Sequence, residues 1–302
     1  MAKPLTLEDY QQRILRVLIH IQTNLDGDLS LDDLANIAHF SPFHFHRIFR
    51  GLVGESVKEH VRRLRLERAA LWLLSSDMPV TRIAFDSGYE THESFTRAFA
   101  ARFGESPSEY RSKQRALRYQ EAPGEVHFVP EGRLEGFRVA SNDNVSGRVR
   151  IEHLGPLRVA FVRHIGPYPE VGAAWQKLMA WAGRKGLMRP DMTMLGLSYD
   201  DPEVTPADKL RYDAAIVVDE NVQPEGEIGV QTVAAGDFAT ITHHGRYEKL
   251  SETYALLFGR WVPEHRRELV GGPSLEFYRN SPFDTAPEKL RTDIYVRLEN
   301  GR

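Results

Sequence analysis

No cysteine occurs among the 302 residues, so a disulfide framework is excluded and the thiolates that structural zinc sites commonly use are missing. No apolar run approaches the roughly 18 residues of a membrane-spanning helix, and residues 1–10 carry no charged-then-apolar leader. Positive charge is not in excess either, with 39 Lys and Arg against 42 Asp and Glu and a net charge of -3. These absences predict a soluble cytoplasmic protein and weigh against binding nucleic acid through overall charge. The first hundred or so residues also lack any alternating strand pattern. What is plentiful is apolar and aromatic side chains, 41% and 10% of the chain, enough for a core in each of two domains.

The strings Leu34–Ser56 and Ile83–Ser106 repeat each other with one insertion. Leu34, Ala35 and Phe40 match Ile83, Ala84 and Tyr89 at an offset of 49, and Phe45, Arg47, Phe49 and Gly54 match Phe95, Arg97, Phe99 and Gly104 at 50. A repeat of this length signals a duplicated supersecondary unit. Ser41-Pro42 reads as an N-cap with proline at the first helical position, and Ser56 with Glu59 and Ser106 with Glu109 read as capping boxes. With Thr6, Ser30 and Pro79 as further starts, the spacing predicts helices over about 7–25, 31–38, 42–53, 57–75, 80–87, 91–103 and 107–115.

In the helix after Ser41 the apolar stripe is Phe45, Ile48, Phe49 and Leu52, which turns Phe43, His46, Arg47 and Arg50 outward. The matching helix buries Phe95, Ala98, Phe99 and Phe103 and presents His92, Glu93, Thr96 and Arg97. Such faces suit a major groove, where Arg bonds guanine, Glu accepts from cytosine and an aromatic edge meets a thymine methyl. From Ser41 to Ala70 seven Arg and Lys residues face three Glu, a local excess of four, a candidate source of phosphate contacts. The helix over 57–75 is on the order of 30 Å long, close to the roughly 34 Å between successive major-groove turns, so one monomer can occupy two grooves and bend the DNA between them. His39, His44 and His46 form a histidine cluster, but without thiolates it reads as a helix surface rather than a metal site.

Ile83-Ala84-Phe85-Asp86-Ser87-Gly88-Tyr89, then Phe95 to Phe99, Gly104-Glu105-Ser106-Pro107 and Tyr110-Arg111, resemble the signature of the AraC/XylS family of bacterial transcription regulators over about residues 7–112. The resemblance implies an all-α domain of two helix-turn-helix units at 1–112. It also implies that Phe43, His46 and Arg47 in the first reading helix, and His92, Glu93 and Arg97 in the second, stand at the family's base-contacting positions. His46 and Glu93 depart from residues found in some relatives, so the recognised base sequence does not transfer.

Between 113 and 148 apolar periodicity fades and Ala122-Pro123-Gly124, Pro130-Glu131-Gly132 and Ser141-Asn142-Asp143-Asn144 follow, which reads as a mobile linker with at most a short strand at Val126–Val129. A second duplication occupies 149–302. Val162 to Tyr168 matches Ile241 to Tyr247 at an offset of 79, as do Trp175 and Leu178 with Tyr254 and Leu257, and Leu195 to Tyr199 with Ser274 to Tyr278. Tyr212 to Val217 matches Thr292 to Arg297 at 80. Two α+β halves, each a strand, a glycine turn and a helix, predict a pseudo-twofold axis and a ligand groove between them. Alternation puts Glu276 and Tyr278 on one strand face, opposite Leu197 and Tyr199 by the repeat, so a carboxylate replaces an apolar residue in one half only. Trp175, Trp181 and Trp261 sit at helical spacings that favour core over pocket.

The two glycine turns, Leu275-Glu276-Phe277-Tyr278 and Thr292-Asp293-Ile294-Tyr295-Val296 resemble the GyrI-like effector-binding fold, also found fused to AraC-type readers in Rob-like regulators. This implies an α+β domain with Glu276 at the centre of an effector pocket and Tyr168, Trp175, Tyr199, Tyr247 and Tyr278 around it. Together the resemblances imply a non-enzymatic regulator that needs no cofactor or metal and binds double-stranded promoter DNA and a small aromatic or cationic effector. RNA polymerase is a candidate partner and a membrane is not. Two alternatives stay open for the second domain: a hydrolase with Glu276 as general base and a tyrosine as acid, or a protein-partner module.

Overall fold

The computed structural model describes residues 6–113, 119–139, 148–202, 204–282 and 284–299. They form two compact units, one within Glu8–Ser141 and the other within Asn142–Arg302. No helix among the described residues is long and apolar enough to cross a membrane.

The regular structure of the first unit is helical: α1 (Leu7–Thr23), α2 (Leu31–Ala38), α3 (Pro42–Val53), α4 (Val57–Ser75), α5 (Val80–Asp86), α6 (His92–Phe103) and α7 (Pro107–Ser112). Their starts follow the punctuation. Ser41 Oγ accepts from the His44 N–H, and Ser56 and Ser106 form reciprocal capping boxes with Glu59 and Glu109, each cap contributing about 0.5–2 kcal/mol. α3 and α6 both stop at a left-handed glycine, Gly54 and Gly104, a conformation that a side chain resists. Phe45, Ile48, Phe49 and Leu52 are buried on α3, and Phe95 and Phe99 of α6 pack with Ile83 and Ala84 of α5.

α1 and α4 play the same part, each a long helix ahead of a helix-turn-helix, and each grips the turn of its motif with an arginine. Arg13 Nη1 donates to His39 O at 2.9 Å, and Arg65 lies over Gly88, whose added Cβ would meet the guanidinium at 2.7 Å. Gly88 has φ +79°, while the matching turn accepts a histidine, His39, at +54°.

The basic run from Ser41 to Ala70 does not form a cationic surface. Arg47, Arg63 and Arg68 are buried and Arg50 and Arg65 half-buried, which leaves Lys58 and Arg62 exposed. Arg63 and Arg68 serve instead as counter-ions to carboxylates. Arg63 donates to Glu55 Oε1 at 2.5 Å and to Glu67 Oε1 at 3.0 Å, and Arg68 to Asp26 at 2.5 Å. His60, fully buried, bonds Glu55 at 2.7 Å. Burial pushes the Glu55 carboxyl up, but the bonds from His60 and Arg63 more than reverse it and leave it below the ordinary value. Burial holds His60 below its ordinary value despite the opposing Glu55.

Residues 119–139, the described part of the stretch read from sequence as a mobile linker, are pinned to the helices. Residues 114–118 and 140–147, including Ser141-Asn142-Asp143-Asn144, lie outside the described residues. Val126–Val129 is not a strand, because its backbone groups bond to buried side chains rather than to another strand. Arg63 Nη1 donates to Val126 O at 2.8 Å, Glu67 accepts from Phe128 N at 2.9 Å, and Gln22 of α1 bonds both His127 O and Val129 N. Loss of apolar periodicity excludes a regular element; it does not exclude docking of this kind.

The second unit comprises β1 (Val149–Leu154), β2 (Leu157–Ile165), α8 (Gly172–Arg184), β3 (Met194–Ser198), β4 (Arg211–Val217), β5 (Gly229–Val233), β6 (Gly236–His244), α9 (Leu250–Leu256), β7 (Ser274–Tyr278) and β8 (Arg291–Arg297). The strands make one antiparallel sheet in the order β1-β6-β8-β7-β3-β4-β2-β5. Replacing each strand by its repeat partner and reversing the list reproduces the same order, so a pseudo-twofold axis passes between β3 and β7. The edges are exchanged: β1 pairs with β6, and β5 pairs back with β2. Each half therefore completes the other.

The register corrects one equivalence. Gly196 pairs with Ala214 and Glu276 with Ile294, so the offset is already 80 at β3 and the counterpart of Glu276 is Gly196, not Leu197. A one-residue slip moves every side chain of a strand to the other face. One face of the sheet, with Ala160, Val162, Tyr212, Ala214 and Ile216, packs with Leu178 and Trp181 of α8. The other carries Val159, Leu195, Leu197, Leu275, Phe277 and Tyr295. Trp181 and Trp261 are core residues, each 3% exposed.

The buried His60 makes stability depend on pH. Below about 6.5, its unfolded value, the unfolded chain takes up a proton that the folded site resists, so stability is full above that pH and declines below it. Urea unfolding followed by helix signal should give lower stability at pH 5.5 than at 7.5, with a shallower dependence in His60→Gln. Equal slopes would mean that His60 does not titrate against folding.

Candidate functional site

α6 begins at an N-cap, Thr91, whose side chain accepts from Ser94 N–H, and its apolar side is taken up by Phe95 and Phe99. Glu93 and Arg97 are exposed, with His92 and Thr96 half-buried beside them. An acid and a base thus share one short helical surface, while the Thr96 hydroxyl is buried beneath it. On α3 the matching face differs from the outward orientation that the helical period implies: His46 is 3% and Arg47 5% exposed, Arg50 is half-buried, and the Phe43 side chain lies outside the described residues. Periodicity fixes which residues share a face but not whether tertiary packing covers that face. Burial, reinforced by the charge of Arg47, pushes His44 down to about 4, so its ring is neutral at physiological pH.

In the second unit Glu276 lies in β7, directly across from Gly196 of β3 beside the pseudo-twofold axis. It is 6% exposed. Tyr254 of α9 donates to Oε1 at 2.8 Å and Tyr278 to Oε2 at 2.9 Å, which are charge-assisted bonds of the stronger kind. The Tyr212 and Tyr278 hydroxyls are 2.7 Å apart. Burial first, and then the negative charge of Glu276, raise the phenols of Tyr212, Tyr247 and Tyr278, so all three remain protonated donors. The Trp175 and Tyr247 rings meet Tyr278 edge-on at 5.7 and 5.6 Å, and Tyr168 meets Tyr212 at 6.0 Å.

The structure therefore brings together Tyr168, Trp175, Tyr247, Glu276 and Tyr278, and adds Tyr212 and Tyr254, which sequence reasoning did not single out. The signal for Tyr254 was available, since it is the repeat counterpart of Trp175. A carboxylate walled by aromatic rings attracts a cation and repels an anion.

Tyr199 does not belong to this group. It lies on the opposite sheet face, where its hydroxyl donates to Asp213 at 2.9 Å and its ring sits between the Arg163 and Arg211 guanidiniums at 5.0 and 5.5 Å. The cause is the register slip: Tyr199 corresponds to Arg279, and Ser198 to Tyr278.

Residues 148–299 match the model of the GyrI-like small molecule binding domain, and residues 34–113 match that of a helix-turn-helix domain. Over 103 residues the chain is 37% identical to an uncharacterized HTH-type transcriptional regulator, YbfP, of Bacillus subtilis (strain 168), covering 34% of this chain and 35% of that protein. It is 38% identical over 98 residues to the HTH-type transcriptional activator AarP of Providencia stuartii, covering 32% and 73%. It is 34% identical over 102 residues to the right origin-binding protein of Escherichia coli (strain K12), covering 33% and 35%. The matched segment spans about a third of the length of the first and third of these relatives. With its duplicated helix-turn-helix and its pseudo-twofold sheet around a buried glutamate, the chain belongs to the AraC-type helix-turn-helix proteins over its first part and to the GyrI-like small-molecule binding family over its second.

Proposed function

We propose that this chain is a DNA-binding transcription regulator whose second domain binds a small aromatic cation. The observation that carries the reading is Glu276, a buried carboxylate ringed by phenols in a family of small-molecule binding domains. A buried carboxylate lined by aromatic rings is well placed to gain from a ligand that brings the opposite charge.

Glu93 and Arg97 are the base readers on α6, with His92 and Thr96 beside them. His46 and Arg47 can serve on α3 only when their face is uncovered. The names of two relatives, a transcriptional activator and an origin-binding protein, support the DNA-binding part.

Arg97→Ala should lose about 1–3 kcal/mol of binding to a selected site while binding to random duplex is comparatively preserved. Equal losses on both, measured by titration at fixed salt, would exclude base reading. Glu276→Gln should weaken binding of an aromatic quaternary ammonium probe by roughly 2 kcal/mol, as read by calorimetry; unchanged affinity would remove Glu276 from the site. Gly196 faces this cluster, and an added Cβ there would lie 2.4 Å from the Tyr212 hydroxyl. Gly196→Ala should displace Tyr212, cost about 1–3 kcal/mol of stability and weaken the same probe. A variant with wild-type melting temperature and wild-type affinity would show that the Tyr212–Tyr278 contact does not shape the site.

A further inference from the structure

The two helix-turn-helix units share α4, whose Arg68 bonds both Asp26, between α1 and α2, and Asp86 O at the end of α5. A chain of buried charges crosses that helix. Glu55, two residues beyond the end of α3, bonds His60 and Arg63; Arg63 bonds Glu67; and Glu67, fully buried, also lies 3.4 Å from Arg102 of α6. The chain therefore runs from the end of one reading helix to the last turn of the other.

Residues 119–129 close this chain from outside. Phe128 N–H donates to Glu67 Oε2 at 2.9 Å, His127 Nδ1 lies 3.3 Å from Glu67 Oε1, and Val126 O accepts from Arg63. Arg102 donates to Gln120 O at 3.3 Å. Gln22 ties the same segment to α1, and at Gly124 an added Cβ would lie 3.2 Å from Val53 O at the end of α3. Tyr119 stiffens the segment internally, its ring stacked on His127 at 4.5 Å and its hydroxyl donating to Phe128 O. One stretch of backbone thus touches α1, α3, α4 and α6.

We infer that residues 119–129 form a strap that, through Glu67, fixes the tilt between the two helix-turn-helix units and so sets the separation of the two base blocks the chain reads. Glu67 and Gln22 are then positioning residues, since neither faces DNA. Because the strap lies on the route of the chain to the second domain, tension on it alters that separation. The inference rests on the proposed reading of DNA by both units.

The test is selection from a random-sequence duplex library by the purified full-length protein and by its Glu67→Gln and Gln22→Ala variants, with a melting curve for each. The wild type should enrich two blocks at one separation and prefer it on the order of tenfold over a site lengthened by one base pair, whereas variants should enrich the same blocks over several separations with a preference of about twofold. Gln22→Ala removes only neutral hydrogen bonds, so it keeps the test open where Glu67→Gln fails to fold. A folded Gln22→Ala protein that keeps the single wild-type separation overturns the strap. A wild-type protein that enriches no blocks, or only one, overturns instead the two-unit reading on which the strap depends.

Discussion

Carboxylates withdrawn from water, among them those of Glu67, Asp213, Glu276 and Asp293, govern how the rest of both units is arranged. A carboxylate in that position is tolerable only when donors converge on it. Around Glu67 the donors come from α4, α6 and the strap, so satisfying one side chain ties together pieces distant in sequence. Around Glu276 they include phenols from α9 and β7, so that aromatic rings line the carboxylate.

The two halves of the sheet meet the same demand with different residues. Asp213 is answered by Arg163 from β2 and the Tyr199 hydroxyl, while Asp293 is answered by Arg279 and the Thr242 hydroxyl of β6. By register Arg163 stands where Thr242 stands, and Tyr199 where Arg279 stands. The arginine has changed strand and the hydroxyl has taken its place, so each aspartate keeps one guanidinium and one hydroxyl. On the other face the tyrosine has moved likewise: Tyr212 matches Thr292, and Tyr278 matches Ser198. The two phenols consequently come from non-equivalent strands and meet near the axis, where equivalent positions would have placed them apart. The repeat has diverged by relocating side chains while conserving the groups that the buried charges require.

The legibility of the sequence varied with the kind of interaction. Helix starts were plain in Ser41-Pro42, Ser56 to Glu59 and Ser106 to Glu109 because a cap is a bond between residues three apart, and it formed where the spacing placed it. Glu276 stood out as a carboxylate within the string Leu275 to Tyr278, although its counterpart is Gly196 and not the Leu197 that the sequence repeat suggested. Tyr199 was misplaced because the inserted residue lies before β3 rather than after it, and in a strand a single position decides the face. The basic run misled for another reason: Arg63 and Arg68 are charges in the sequence whatever they face, and their docking against Val126 O and Asp26 is a long-range fact.

Local chemistry alone determined the seven helices, the two duplications and the glycine turns, since each follows from contacts within a few positions or from self-similarity. Tertiary structure alone decided the exchange of β1 and β5, the docking of residues 119–129, the covering of His46 and Arg47, and the company of Tyr212 and Tyr254 around Glu276. These depend on which distant groups satisfy a buried polar atom or cover a surface, and no short-range pattern encodes that choice.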